Sequence, residues 1–433
     1  MKKFKNSMYN IEISKDQEHT LIWNSFNGAI IKLENDIADK IKSNYITPDL
    51  KYFNELLESG IILSDDINEY AVVKQKEQEI LKQEETRMSL IIAPTLKCNY
   101  KCVYCFEANK EKKKIMDYSD ADKIISYIKN ACLTSKIKTL TITWFGGEPM
   151  LCYDIIQYIG DKIKEFSKKH SIDFFSRMIS NGSLLTLDKL KILIDKCNLK
   201  LIQITIDGME NTYTQKKGTT KEAYNKVINN VVELCDLVKI KIRINADKSN
   251  YKELMDVANF LLVEKNLKNK IDIYFAEIKN YNNDNGTDYY TIEEATKAKF
   301  DFYETLYNKG LIKKHKISPI SFDPLFCGFK SKNNVAIGPN GDIYKCQHFI
   351  NDVDKIVGYV DSNKQNAEIL KEFYDPKNNK LCEKCSLYPV CRYNACPALK
   401  NMIKTTNNNC SVYNDLLNSI KFQCEQYIKN DNC

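Results

Sequence analysis

Leu96–Lys110 reads LKCNYKCVYCFEANK and places three cysteines, Cys98, Cys102 and Cys105, within eight residues. A tetrahedral zinc site takes four ligands and a disulfide framework an even number of thiols, so an odd triplet fits neither. No cysteine or histidine lies within forty residues upstream, and the next cysteine downstream is Cys132, in a segment of helical periodicity. Thiolates are soft ligands that suit iron–sulfur clusters. A cubane held by only three of them leaves one iron open for something else.

The triplet directly follows MSLIIAP, the first of six apolar, strand-like runs; the others are KTLTITWF, FFSRMIS, KLIQITID, IKIRINAD and IDIYFAEI. Helix-period segments such as DADKIISYIKNA, YDIIQYIGDKIKEFSKK and AYNKVINNVVELCDLV alternate with them. Successive βα units predict an α/β fold: a parallel sheet with right-handed crossovers, curled into a partial (β/α)6 barrel over residues 88–312. Chemistry in such barrels sits at the C-terminal ends of the strands. WFGGEP (Trp144 to Pro149) ends the second strand, ISNGSLL the third, TIDG the fourth and RINAD the fifth. One glycine-rich turn is ordinary, but with the cysteine triplet five polar segments converge on one rim.

Residues 1–72 stand apart. YNIEI, HTLIWNS and GAIIKLE read as strands; NDIADKIKSN and TPDLKYFNELLESG as helices, the second opened by Thr47 and Pro48 and closed by Gly60; IILSDD returns as a strand. This order predicts a winged-helix-like module. Asp49, Glu55 and Glu58 stand where a DNA-reading helix would want arginines, so peptide docking on an edge strand is the better expectation. Residues 73–87 read as a charged helical linker.

At 433 residues the chain has room for two or three domains, and 43% hydrophobic with 28% charged residues describes a soluble globular protein. No apolar run approaches the ~18 residues of a membrane span, and the N-terminus lacks the apolar stretch of a secretory signal, so no membrane partner is expected. Sixteen cysteines clustered at short spacings point to metal ligation in a reduced cytoplasm. The net charge of +7 is spread as lysine, without the basic runs and interleaved aromatics of a nucleic-acid surface.

The CxxxCxxC triplet with an aromatic residue before its last cysteine, followed by GGEP, resembles the radical S-adenosylmethionine (radical SAM) superfamily. The resemblance implies that Cys98, Cys102 and Cys105 hold a [4Fe–4S] cluster whose fourth iron is chelated by SAM. One electron then breaks a carbon–sulfur bond of SAM to give a 5′-deoxyadenosyl radical. It further implies that Gly146 and Gly147 allow close approach of backbone to the cofactor, that Glu148 accepts from the SAM ammonium, and that Ser180, Asn181, Thr205 and Arg243 contact its ribose or carboxylate.

Residues 313–433 are loop-rich and hold nine of the sixteen cysteines. Cys327, GPNGDIYKCQ with Cys346, CEKCSLYPVCRYNACP with Cys382, Cys385, Cys391 and Cys396, and finally Cys410 resemble the SPASM domain, which holds two auxiliary [4Fe–4S] clusters. On that pattern Cys382, Cys385, Cys391 and Cys410 bind one cluster, and Cys327, Cys346 and Cys396 the other. His348, two residues past Cys346, is a candidate fourth ligand of the latter but reads more readily as an exposed histidine; without it one iron is open to a substrate thiolate. Cys391 and Cys396 are separated by four residues where the family usually has three. The single cysteines, Cys132, Cys152, Cys197 and Cys235, read as buried small hydrophobes, while Cys424 and Cys433 are within reach of a cluster.

Together with a weaker resemblance of the N-terminal module to precursor-binding domains, these features imply a maturase of ribosomally made peptides. The expected product is a cysteine thioether crosslink. The expected partners are a cysteine-containing precursor with a leader segment and an external one-electron donor of flavodoxin or ferredoxin type. Two alternatives stay open: an anaerobic sulfatase-maturating enzyme making formylglycine, and a non-catalytic zinc or DNA-binding regulator. The first expects an aspartate directly after the cysteine matching Cys346, where this chain has Gln347.

Overall fold

The computed structural model describes residues 3–107, 114–279, 288–313, 321–325, 327–362, 364–374, 380–391, 396–400, 405–406 and 409–431. Cys433 and the four residues between Cys391 and Cys396 lie outside them.

The N-terminal module contains β1 (Phe4–Asn6), β2 (Asn10–Lys15), β3 (His19–Asn24), β4 (Ile30–Glu34) and β5 (Ile62–Ser64). β2, β3 and β4 form an antiparallel meander with β4 at an edge, and β1 pairs separately with β5. α1 (Asn35–Lys42) buries Ile37, Ala38 and Ile41 against Ile22, Leu33 and Leu56. α2 (Phe53–Glu58) starts later than Thr47 and Pro48 led us to expect. Tyr52 sits at φ 64°, a left-handed conformation that no helix interior tolerates, and residues 47–53 turn instead through Leu50 N–H to Thr47 O and Phe53 N–H to Leu50 O. Strand alternation gives the meander a second apolar face. Ile11, Ile13 and Trp23 on that face pack against Leu387, Val390, Leu416 and Ile420, so the module is clamped to the C-terminal region. α3 (Glu69–Gln83), capped by Asn68, begins four residues before the expected linker.

Six parallel strands follow in chain order: β6 (Arg87–Ile92), β7 (Thr139–Trp144), β8 (Asp173–Ser180), β9 (Leu199–Thr205), β10 (Lys239–Ala246) and β11 (Ile271–Glu277). The intervening helices are α4 (Tyr118–Thr134), α5 (Tyr153–Lys169), α6 (Leu187–Cys197), α7 (Glu210–Lys217), α8 (Lys221–Leu234) and α9 (Leu254–Asn259), and α10 (Ile292–Asn308) follows the last strand. Asp117, Thr186, Thr220 and Thr291 cap α4, α6, α8 and α10, which is why those helices start where they do. One sheet face is dry: Leu90, Ile142, Ile202, Ile204, Ile240 and Ile242 are fully buried under the helices. The other carries Ile91, Thr143, Ile179, Thr205, Arg243 and Tyr274, each only half-buried, and lines the barrel interior.

Where the βα alternation stops near Lys313, the sheet continues. β12 (Val335–Ile337) pairs parallel with β6, and β13 (Asp342–Tyr344) and β14 (Gly358–Tyr359) extend it antiparallel, giving nine strands. The C-terminal helix Tyr413–Asp431 returns to α10, whose first amides at Ile292 and Glu293 donate to Asp415 at 2.8 and 3.0 Å. No described helix is long and apolar enough to cross a membrane.

Candidate active site at the barrel rim

The chain leaves β6 and runs along the rim as the cysteine loop, with Cys98, Cys102 and Cys105 half-buried. The turn after β7 holds the start of this loop: Gly147 N–H donates to Thr95 O at 3.1 Å and Glu148 N–H to Lys97 O at 2.9 Å. A Cβ on Gly146, at φ 119°, would lie 2.1 Å from Thr95 O, and one on Gly147 2.3 Å from Lys97 O. Both glycines are therefore required by the approach of residues 95–97, a nearer cause than the cofactor contact expected from sequence.

Glu148 is fully buried and accepts from Ser180 Oγ at 2.9 Å, Asn181 N–H at 2.8 Å and Met150 N–H at 3.0 Å. Burial pushes its carboxyl up, and these donors pull it back. A carboxylate has about four acceptor positions, so three protein donors leave room for one more. Asn181 Nδ2 donates to Asn99 Oδ1 at 2.8 Å and stands 3.9 Å from Cys98 Sγ. The structure thus brings Cys98, Glu148, Ser180 and Asn181 into one group. Thr205 and Arg243 form another, as register partners on the interior face, with Arg243 Nε donating to Asn245 Oδ1 at 2.7 Å.

Four residues given no role from sequence join the last part of the cysteine loop to the barrel. Tyr104 donates its hydroxyl to Asp207 and accepts from Lys217 Nζ at 2.7 Å and Asn245 Nδ2 at 3.1 Å. TIDG and RINAD contain Asp207 and Asn245, but nothing local to those motifs indicates Tyr104 or Lys217 as partners.

The C-terminal cysteines fall into neighbourhoods. Cys385 feels the charges of Cys391, Cys382 and Cys410, and Cys327 that of Cys396. Cys346 is buried at the start of the turn carrying Gln347 and His348, and the His348 ring lies 4.5 Å from that of Phe106, next to Cys105. Cys424 is fully buried beside Ile11, Ile13 and Trp23. Burial pushes the Cys98 and Cys385 thiols up to about 11, with neighbouring thiols adding to it, so loading with iron must displace protons.

Among the described residues no three His, Cys, Asp or Glu side chains converge as ligands of a single ion. In a cubane each thiolate binds a different iron, so its cysteines surround the cluster without meeting at one point. A half-buried loop of three mutually sensed thiols fits that group.

Residues 92–261 match the Radical SAM superfamily. The radical SAM cyclopropyl synthase TigE of Paramaledivibacter caminithermalis is 26% identical over 45% of this chain and 47% of its own, so the chain spans about half of that relative. The cysteine-type anaerobic sulfatase-maturating enzyme of Clostridium novyi is 23% identical over 70% of this chain and 87% of its own. The crystal structure of Streptococcus suis SuiB bound to precursor peptide SuiA superposes with a TM-score of 0.56 at 17% identity, covering 94% of this chain and 98% of that one. Residues 92–261 are therefore a radical SAM domain, which takes in the cysteine loop and strands β7 to β10.

Proposed function

We propose that this enzyme modifies a ribosomally made precursor peptide, joining a cysteine sulfur to a carbon of another residue. The N-terminal meander carries the reading. Its inner face is clamped to the C-terminal region by Trp23, while β4 presents a sheet edge. Asn24 N–H donates to Ala29 O and Asn35 N–H to Glu18 O, which fixes the ladder parity. The N–H groups of Ile30, Lys32 and Glu34 therefore point away from β3. Beside them a cavity of about 490 Å³ opens between β4 and α2, lined by His19, Ile31, Leu33, Tyr52 and Leu56 among others. A leader segment added as a further strand would gain backbone hydrogen bonds from the edge and side-chain contacts from the cavity. The superposition on a precursor-bound enzyme supports it.

Cys98, Cys102 and Cys105 would hold the SAM-binding cluster, which with SAM supplies a hydrogen-abstracting radical. Glu148 orients Ser180 and Asn181 beside it. Cys382, Cys385, Cys391 and Cys410 would hold one auxiliary cluster, and Cys327, Cys346 and Cys396 the other. Each crosslink removes one hydrogen atom from carbon and, from the thiol, one proton and one electron; an auxiliary cluster held by the C-terminal cysteines would be the acceptor for that electron. A flavodoxin- or ferredoxin-type donor would provide the initiating electron.

Formylglycine formation is the second reading, favoured by the alignment with the sulfatase-maturating relative. It would have to proceed with the Gln347 amide where a carboxylate base is expected. The deciding experiment incubates reconstituted enzyme anaerobically with SAM, a reductant and a candidate cysteine-containing precursor, then alkylates free thiols and measures mass. Loss of two hydrogens with one thiol protected establishes the thioether. Aldehyde at a serine or cysteine replaces it with the second reading.

A further inference from the structure

The cysteine loop is held at both ends, by different means. Its start is pinned by the turn after β7, as described. Its end lies on the C-terminus of α7, where Lys101 N–H donates to Lys217 O at 3.1 Å and Val103 N–H to Lys216 O at 3.0 Å. The chain then turns at Gly218, φ 56°, where a Cβ would meet Lys101 O at 2.6 Å. These two amides satisfy carbonyls that a helix end leaves open.

The Lys217 side chain turns back beneath the same loop. It is 4% exposed, yet carries an ammonium. Its Nζ donates to Tyr104 Oη at 2.7 Å, pairs with Asp207 at 3.1 Å, and lies 5.4 and 5.9 Å from the ring centroids of Tyr104 and Tyr213. Asp207, fully buried, also accepts from Tyr104 and from Asn245 N–H at 3.0 Å. A buried ion pair is costly unless its hydrogen bonds are satisfied, and here both members bond Tyr104, between Cys102 and Cys105, while Asp207 also holds Asn245 N–H. The ammonium is thus held at Tyr104, two residues after Cys102, while the backbone on either side of Cys102, at Lys101 and Val103, is bonded to the carbonyls of Lys217 and Lys216.

We propose that Lys217 is a positioning and potential-setting residue: with Asp207 and Tyr104 it fixes the second half of the cysteine loop, and its ammonium favours the electron-rich, reduced state of the cluster at Cys102. Reduction adds negative charge next to a cation in a low-dielectric site, and net charge and hydrogen bonding around the sulfurs set such potentials. The inference rests on the radical SAM reading of the loop and is independent of the peptide substrate.

The test is an anaerobic redox titration of the holoenzyme, following by electron paramagnetic resonance the one cluster signal that changes when SAM is added. K217M should lower its midpoint, cutting the reduced-to-oxidised ratio at the wild-type midpoint by about tenfold. D207N should raise it, and K217R should stay near wild type. A general loosening of the loop would move K217M and D207N in the same direction, so shifts of one sign, or none, overturn the proposal. Should K217M fail to assemble, D207N and K217R still decide by a rise and its absence. Y104F supplies a second readout in the iron-free chain: losing the hydroxyl should speed alkylation of Cys102 severalfold while leaving Cys98 unchanged. Equal rates at both cysteines remove the anchoring half of the proposal.

Discussion

Ser180 donates its hydroxyl to Glu148 at 2.9 Å, and the two side chains are 4% and 0% exposed. The bond ties the end of β8 to the turn after β7, and through Asn181 it reaches Cys98. A glutamine at 148 would direct an amide N–H at a neighbouring donor and leave a buried group unpaired, a cost of about 1–3 kcal/mol. E148Q is therefore expected to weaken SAM binding at least about tenfold, equivalent to about 1.4 kcal/mol. Calorimetric titration of the reconstituted protein checks this, and an unchanged affinity would separate Glu148 from the SAM site.

The cysteine loop also depends on Gly147, where an added Cβ would lie 2.3 Å from Lys97 O and 2.5 Å from Leu96 O. Neither oxygen belongs to a flexible side chain, so G147A must displace the loop. We expect the reconstituted variant to carry about four irons fewer, the content of one [4Fe–4S] cluster. Gly328 is the control, since among the described residues its Cβ would meet only Asn334 Nδ2, at 3.6 Å. G328A should retain its iron, and equal losses in both variants would point to general instability.

The barrel strands were legible because each is a run of six to eight residues whose burial leaves a strong apolar pattern. β12, β13 and β14 were not: they are two or three residues long, and pairing with β6 rather than local propensity makes them strands. The late start of α2 was hidden in the backbone angle of a single tyrosine, Tyr52. In the site, the cysteines and GGEP were legible as spacing. The partners of Tyr104 were not, because Asp207 and Lys217 stand 103 and 113 residues away along the chain.

The C-terminal cysteines separate into two groups, one around Cys385 and one around Cys327. If each group holds its own cluster, C391A and C396A should each cost about four irons, while the double variant costs about eight. Both single variants should still form deoxyadenosine from SAM without crosslinked product, since the radical site lies on another loop. Iron analysis alongside chromatography of the reaction distinguishes this from a single shared site, for which the double variant loses no more than either single one.

Glu77 on α3 pairs with Lys330, and Lys74 approaches it at 2.9 Å, along a cavity that also meets Cys391. Burial alone would push the Glu77 carboxyl up, but the two lysines outweigh it and hold the carboxyl below its ordinary value of 4.5. A depressed carboxyl stabilises the fold above that ordinary value and loses the contribution as pH falls through the folded one. At pH 7, E77Q should be destabilised by about 1–3 kcal/mol, because Lys330 and Lys74 lose the carboxylate charge between them. Thermal denaturation of both proteins from pH 7 down to 4 should show the gap between them narrowing with acid. A gap independent of pH would mean that packing, and not charge, is lost.

Lys32 offers a direct test of peptide docking. It is exposed on β4, opposite Leu21, and its N–H faces the open edge rather than β3. K32P removes that donor and leaves the β3–β4 ladder, which uses the N–H groups of Ile31 and Leu33, intact. The fold should therefore persist, with circular dichroism and iron content unchanged. A leader strand added to β4 would lose a central backbone hydrogen bond and meet the proline ring. Binding of a fluorescent leader peptide should fall by more than about tenfold, and crosslinking of the full precursor with it. Release of deoxyadenosine without peptide should continue at the wild-type rate. Undiminished binding would move the leader away from this edge, and loss of iron would mean that the clamp between the meander and the C-terminal region, at Trp23, had been disturbed instead.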